Sequence, residues 1–251
     1  MLQVMVNGCN GKMGRIVADL VDKDESIILK CGIDKENIQG LSCPIYTNLD
    51  QIPEKPDVII DFSIPIATFN LLEYAKQNNV PIVIATTGFT GEEERKIAEY
   101  AKFIPIFKSA NMSFSINVFQ NLLKNIAPKF KECDIEIIEA HHNRKVDSPS
   151  GTAKMLANAI SQVLGKDYYI EYNRHDKLKK RDKKEIGISS IRGGNIVGEH
   201  SVIFFGESES FEIKHTSYSR NVFAEGAIKA AKFIANKKDG LYNMDDLIEQ
   251  L

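Results

Sequence analysis

Near the start of the chain a short apolar strand, a glycine loop and an amphipathic helix follow one another, and this order limits the fold more than any other stretch. Leu2 to Val6 is the strand, Asn7-Gly-Cys-Asn-Gly-Lys-Met-Gly14 is the loop, and Ile16, Val17, Leu20 and Val21 mark one helix face. Strand, glycine loop and helix is the context in which spaced glycines bind a dinucleotide. Gly8 allows the tight turn, Gly11 lets the backbone approach a pyrophosphate, and Gly14 lets the helix pack against the strand. The spacing is G-x-x-G-x-x-G, not the commoner G-x-G-x-x-G. Cys9 inside this loop reads as small filler, not as a nucleophile.

The pattern then repeats. Ile27 to Ile33 is a second apolar stretch ending at Asp34, twenty residues beyond Gly14, where a ribose-binding acid belongs. A turn-forming Asp is the alternative reading. Asp34 favours NADH through the ribose hydroxyls, whereas Lys35 beside it suits the extra phosphate of NADPH, so both cofactors are kept. Val58 to Phe62 and Ile82 to Ala85 are further strands, each followed by a polar segment and a helical stretch, and the strand Ile104 to Phe107 leads to the polar segment Ser109 to Ser115. A capping box, Thr90 with Glu93, opens one of these helices. Strands alternating with helices imply a doubly wound parallel sheet of Rossmann type, with ligands beyond the C-terminal strand ends. Asp61-Phe62-Ser63, Ala85-Thr86-Thr87-Gly88 and Ser109-Ala110-Asn111-Met112 all fall at such ends; ordinary turn chemistry is their alternative.

The densest chemistry lies in Glu139-Ala-His-His-Asn-Arg-Lys-Val-Asp-Ser-Pro-Ser-Gly-Thr-Ala153. Ile135, Ile137 and Ile138 before it read as a buried strand; Leu156, Ala159, Ile160, Val163 and Leu164 after it recur at helical spacing. The segment reads as strand, polar loop, helix. Two imidazoles, a guanidinium and an ammonium precede a helix N-terminus, whose backbone N–H groups favour an anion. That suits a carboxylate or phosphate substrate that also needs a proton. Taken singly, Arg144 and Lys145 also fit exposed charge, and Pro-Ser-Gly-Thr a plain helix start.

Beyond this helix the strands lie consecutively: 168–172, 186–191, 196–205 and 210–216. This implies an α+β domain on an open mixed sheet. Residues 176–184 form a charged loop with six Lys and Arg residues, read as solvated surface, with a lid role as the alternative. His200 and His215 read as packed strand residues, and His175 as loop surface. Arg144 and Arg192 read as exposed charge. Phe223, Ala227, Ala230, Ala231 and Ile234 mark a last helix.

The long segment resembles the E-x-H-H-x-x-K-x-D-x-P-S-G-T-A signature of the dihydrodipicolinate reductase family, with every fixed position present. The glycine loop with Met13, Asp61-Phe62-Ser63, Thr86-Thr87-Gly88, Ala110-Asn111-Met112-Ser113 and Ile191 to His200 are similar to family segments too; Ala85 and Ser115 stand where glycine is usual. The resemblance implies reduction of a cyclic dicarboxylate, 4-hydroxy-tetrahydrodipicolinate, by NADPH or NADH in the diaminopimelate route to lysine. It implies His141 as proton donor or acceptor and Lys145 as the second donor, and His142, Ser150, Gly151 and Thr152 as substrate contacts. Gly8, Cys9, Asn10, Gly11, Lys12, Met13, Asp34, Lys35, Ala85, Thr86, Thr87, Ser109, Ala110, Asn111 and Met112 then line the cofactor. It further implies a nucleotide domain of residues 1–112 and 221–251, a substrate and oligomerisation domain of residues 113–220, and a homotetramer. Glu139 and Asp147 are candidates to orient the basic groups. Another dehydrogenase, a non-catalytic dinucleotide sensor and an assembly subunit are the rival readings; each leaves the long signature unexplained.

Composition excludes several other classes. With 251 residues, 43% hydrophobic, and a net charge of -2, the chain has neither the bias of a disordered segment nor a basic field for nucleic acid. No apolar run approaches membrane-spanning length, no secretory leader is visible, and a cytoplasmic protein is expected. Cys9, Cys31, Cys43 and Cys133 fit neither a zinc site nor a disulfide framework, and no metal site is expected.

Overall fold

The computed structural model describes every residue except 39, 173, 175, 176 and 251. His175 and Asp176, read above as loop surface and as the start of the charged loop, lie outside the described residues. The chain divides into two compact units, residues 1–114 with 221–251, and residues 115–220.

In the first unit, β1 (Leu2–Asn7) leads through the glycine loop to α1 (Lys12–Val21), β2 (Ile27–Ile33), β3 (Ile45–Tyr46) and β4 (Val58–Asp61). Then come α2 (Pro65–Asn78), β5 (Ile82–Ile84), α3 (Gly91–Tyr100) and β6 (Pro105–Lys108). The second unit contains most of α4 (Phe114–Ile126), then β7 (Asp134–His141), α5 (Gly151–Leu164), β8 (Tyr169–Glu171), β9 (Glu185–Arg192), β10 (Gly198–Phe205) and β11 (Ser210–Ser217). The chain then supplies α6 (Asn221–Ile234), β12 (Gly240–Tyr242) and α7 (Met244–Glu249) to the first unit.

The first sheet has seven parallel strands in the order β12-β6-β5-β4-β1-β2-β3. Strand order reverses at β1, so the ends of β1, β2 and β4 frame a crevice. β4 and β5 are buried along their whole length, as expected of strands covered on both faces. One covering layer is α1 with α6, whose Ala224, Ala227, Ala230 and Ala231 pack with Val6, Val58, Ile60 and Val83. The small alanines let the helix lie close to the sheet, and each fully buried Val or Ile beneath contributes about 1.5–3 kcal/mol. On the other face, Leu71, Leu72 and Ile97 cover Met5, Ile59 and Ile82. Thr90 and Glu93 form the capping box of α3.

The second sheet has the order β11-β10-β7-β9-β8, with β7, β9 and β8 parallel and β10 and β11 antiparallel. α4 and α5 cover one face, burying Phe119, Leu123, Leu156 and Ile160 against Ile135, Ile137, Ile186 and Val202. Within the charged loop, Arg181 is not solvated: it ion-pairs with Glu136 and donates to the Ile135 and Glu185 carbonyls at 2.7 and 2.6 Å. Arg174 grips the buried Glu185 with two bonds of 2.6 and 2.7 Å.

Candidate active site

The glycine loop folds into the crevice of the first sheet. Gly8 takes φ +75°, and a Cβ there would lie 2.6 Å from the Phe62 carbonyl oxygen. At Gly14 a Cβ would overlap the Gly8 carbonyl oxygen, so α1 reaches the loop only with glycine at that position. The Gly8 and Cys9 N–H groups both bond the Ile33 carbonyl, tying the loop to the end of β2. Asp34 Oδ2 accepts the Asn10 N–H at 2.8 Å, which brings the acid to the loop across 24 residues. Asn10 in turn donates to the Glu36 carbonyl at 2.7 Å. Lys35 is exposed.

α1 begins at Lys12 with Gly11 as its N-cap, so no side chain occupies its N-terminal N–H groups. Such an end, above a turn with no Cβ to block approach, fits a pyrophosphate. A cleft of about 900 Å³ opens there, lined among others by Gly8, Asn10, Gly11, Asp34, Lys35 and Ser63. A dinucleotide therefore fits the residues present.

Beneath the cleft, Asp61 is fully buried. Its carboxylate accepts from Asn7 Nδ2 at 2.8 Å, Ser63 Oγ at 2.6 Å, Thr68 Oγ1 at 2.6 Å and Thr86 Oγ1 at 2.9 Å. It thereby pins the ends of β1 and β4 and the segment after β5. Thr86 is thus committed to Asp61, while Ala85 is half-buried and Thr87 exposed. Two side chains named in the sequence reading point into the core, not the cleft. Cys9 is fully buried, with burial pushing its thiol up to about 12, and Met112 is 3% exposed. Met13 also packs against that core. What these three offer a ligand is backbone. Ser109 Oγ donates to the Asn111 carbonyl at 2.8 Å, fixing the turn that displays the exposed Ala110.

In the second unit, β7 is central, and its register builds the site. His141 pairs with Arg192 of β9 on one side, and Glu139 pairs with His200 of β10 on the other. Glu139 and His141, two residues apart, share one face of the strand. His141 was read as part of the loop; it is instead the last residue of β7 and is buried. The loop proper starts at His142, whose N–H bonds the Ile196 carbonyl at 2.7 Å.

Glu139 has no solvent exposure and is bonded at both carboxylate oxygens. Its Oε2 meets His141 Nδ1 at 2.6 Å and Arg192 Nη1 at 2.8 Å. Its Oε1 accepts Arg192 Nη2 at 2.7 Å and the Ser150 N–H at 3.1 Å. Burial would raise this carboxyl, but Arg192, Ser190, His141 and the Ser150 N–H outweigh it and hold it at about 2. Arg192, read from sequence as exposed charge, is therefore a half-buried clamp, and its Nη2 also donates to the Asp147 carbonyl at 2.7 Å. Nothing local marks it, because its partner lies 53 residues away. Arg144 is exposed, with a bond to Asn195 Oδ1 of 3.0 Å.

Lys145 pairs with Asp147 Oδ1 at 2.8 Å. Ser150 is the N-cap of α5 and accepts the Ala153 N–H at 3.1 Å. Its hydroxyl also meets His200 Nε2 at 3.1 Å. Gly151 is exposed, with open space where a Cβ would stand, and Thr152 is half-buried beside it. The His141 and His200 rings lie edge to face, 5.1 Å apart. Burial drives His200 down to about 3 and also lowers His141, against the pull of Glu139. Gly198 borders His141: a Cβ there would be 3.2 Å from Nε2. No group of three His, Cys, Asp or Glu among the described residues is placed to hold a metal ion. No helix of the described residues is long and apolar enough to cross a membrane.

The chain is similar to known proteins in both fold and sequence. In fold, the chain is similar to a dipicolinate-bound dihydrodipicolinate reductase from Paenisporosarcina sp. TG-14, with a TM-score of 0.83 and 27% identity over 98% of this chain and 99% of that one. A probable dehydrogenase from Thermotoga maritima shares the fold alone, at TM-score 0.59 and 12% identity over 98% of this chain and 92% of that one. In sequence, a 4-hydroxy-tetrahydrodipicolinate reductase from Clostridium novyi (strain NT) is 49% identical over 99% of both chains. One from Caldanaerobacter subterraneus subsp. tengcongensis is 48% identical over 100% of this chain and 99% of its own. Residues 2–112 match the family described as dihydrodipicolinate reductase, N-terminus, and residues 115–248 the one described as its C-terminus. With both halves matched and identity spread over the full length, the chain belongs to the dihydrodipicolinate reductase family.

Proposed function

We infer that the chain reduces 4-hydroxy-tetrahydrodipicolinate to tetrahydrodipicolinate with a nicotinamide cofactor, and we propose the following division of labour among its residues. The observation that carries it is the pairing of a buried imidazole with an open helix N-terminus across one loop. When bound, the nicotinamide supplies the hydride; the chain supplies binding, orientation and a proton. Gly8, Asn10, Gly11 and Lys12 hold the pyrophosphate, with Cys9 and Met13 contributing backbone only. Asp34 accepts from ribose hydroxyls. Lys35 meets a ribose phosphate, so both NADH and NADPH are used. Ala85, Thr86, Thr87, Ser109, Ala110, Asn111 and Met112 line the nicotinamide end through backbone and small polar groups.

A substrate carboxylate sits on the α5 N-terminus, at the N–H groups of Gly151 and Thr152, where the helix dipole favours negative charge. Ser150 and His142 flank it. His141 and Lys145 donate protons as hydride addition builds negative charge on the ring. Burial favours the neutral form of His141 in the ligand-free chain, against the pull of Glu139. An arriving dianion reverses that preference, so the ring gains its proton when substrate is present. Nucleotide binding falls to the first unit and substrate binding to the second. Exposed Ile138 and Ile191 on the second sheet offer apolar surface for a homotetramer, and we place the protein in the cytoplasm.

The test is nicotinamide oxidation with substrate generated in situ from pyruvate and aspartate semialdehyde, with NADH and NADPH in parallel. Substrate-dependent oxidation is expected with both. Lys145→Ala should lower turnover by about 10²–10⁴-fold, the contribution of a positioned acid, with cofactor affinity unchanged. Near-normal turnover in that variant would remove Lys145 from the mechanism.

A further inference from the structure

Groups from three segments converge on one carboxylate in the second unit, that of Glu139. Glu139 stands on β7, His141 at the end of the same strand, Arg192 at the end of β9, and the Ser150 N–H at the start of α5. Arg192 also holds the Asp147 carbonyl, and the Asp147 carboxylate pairs with Lys145. Both proposed proton donors are thus tied to Glu139, His141 directly and Lys145 through Asp147 and Arg192.

A carboxylate held by a bidentate guanidinium is kept ionised and acceptor-only. A ring nitrogen 2.6 Å from such an oxygen must carry a hydrogen. The neutral imidazole then has its hydrogen on Nδ1 and its lone pair on Nε2. That second nitrogen faces Gly198, where the missing side chain leaves room beside the ring.

We propose that Glu139, clamped by Arg192, is the positioning residue of the site: it fixes hydrogen on His141 Nδ1 and so makes Nε2 the atom that passes a proton to the substrate. This rests on the role proposed for His141. The protonated ring gives up the Nε2 hydrogen, the N–H bonding pair stays on Nε2, and the ring returns to the neutral form that Glu139 favours. The same carboxylate fixes where the α5 N-terminus sits, so acid and carboxylate site are held by one group.

The ionisable groups around His141 are Glu139 on β7, Arg192 on β9, His200 on β10 with His215 beyond it on β11, and Lys145 on the loop. Removing one negative and one positive member should therefore move His141 in opposite directions. Glu139→Gln keeps the shape but loses the charge: kcat should fall about 10²-fold. The limb of the kcat/KM pH profile that reports His141 should move about one to three units lower. Arg192→Gln leaves the carboxylate in place and should move that limb upward. Damage to the fold would not produce shifts of opposite sign. Shifts of the same sign, or none, overturn the proposal.

A second measurement needs no substitution at Glu139. In protein labelled with 15N-histidine, the His141 resonance, assigned by its loss in His141→Gln, should show a protonated Nδ1 and a bare Nε2 at neutral pH. The reverse tautomer overturns the proposal. The underlying reading fails separately, by full turnover in His141→Gln, and the nitrogen spectrum of the unsubstituted protein still judges Glu139 in that event.

Discussion

Among the described residues, Asp61 in the first unit and Glu139 in the second are the carboxylates with no solvent exposure, and the two are satisfied in different ways. Asp61 is met by neutral donors: an amide, three hydroxyls and, at 3.2 Å, the Ser63 N–H. Glu139 is met chiefly by a guanidinium and an imidazole, with the Ser150 N–H and the Ser190 hydroxyl beside them. Neutral donors gain nothing from pH and fix geometry: they lock the strand ends under the cleft. Charged and titratable donors couple geometry to protonation. On the roles proposed above, a binding scaffold and a proton-handling site use a buried carboxylate for different ends, and the choice of donor decides which.

The contrast can be attacked where it is widest. Gly14→Val places a side chain on the Gly8 carbonyl oxygen, and only the first unit should suffer. Cofactor titration should show affinity reduced beyond detection, with the second sheet's amide protection intact; unchanged affinity would disprove the close-approach role. Next in size is Asp61→Asn. It removes two acceptor lone pairs from a buried cluster and should cost about 1–3 kcal/mol. Thermal unfolding would show this, while the pH profile of kcat/KM should not move. A shifted profile would erase the distinction between the two carboxylates.

Acid titration of stability probes the same distinction without substitution. His141 and His200 have folded pKa values below their ordinary value, His200 at about 3. The unfolded chain therefore takes up protons first, and stability should fall as pH drops below about 6.5, continuing toward 3. Glu139, held at about 2, loses its share only below its ordinary range near 4.5. A flat stability curve between pH 6.5 and 5 would contradict the buried, neutral imidazoles. The smallest effect is expected at Lys35, an exposed side chain: Lys35→Ala should change the NADPH-to-NADH rate ratio about two- to five-fold. An unchanged ratio would leave cofactor choice to other residues.

What could be read from the sequence was what short-range patterns determine. The alternation of strands and helices, the glycine loop, the Thr90 capping box and the Ser150 helix start are all local, and each stands where the pattern put it. Arg192 could not be read, because its meaning depends on β7 lying beside β9 in a register that sets it against His141. His141 was assigned to a loop because polar residues follow it without a break, yet β7 runs on to include it. Met112 belongs to a segment at a strand end, but its side chain turns into the core, where its carbonyl leaves no room for a Cβ on Gly226. A family segment identifies a stretch of backbone; packing decides which of its atoms face outward.

The first unit is closed by the last residues of the chain, α6 covering Val6, Val58, Ile60 and Val83, and β12 extending the sheet beside β6. During synthesis this has a cost in time. Over a hundred residues must leave the ribosome after β6 before the helix that covers one face of its sheet exists. The segment made first is thus completed last, whereas the unit made second is one uninterrupted stretch that ends at residue 220. A released chain ending at residue 220 should carry a protease-resistant second unit and a cleavable first one, and limited proteolysis of that truncated chain would read the order directly.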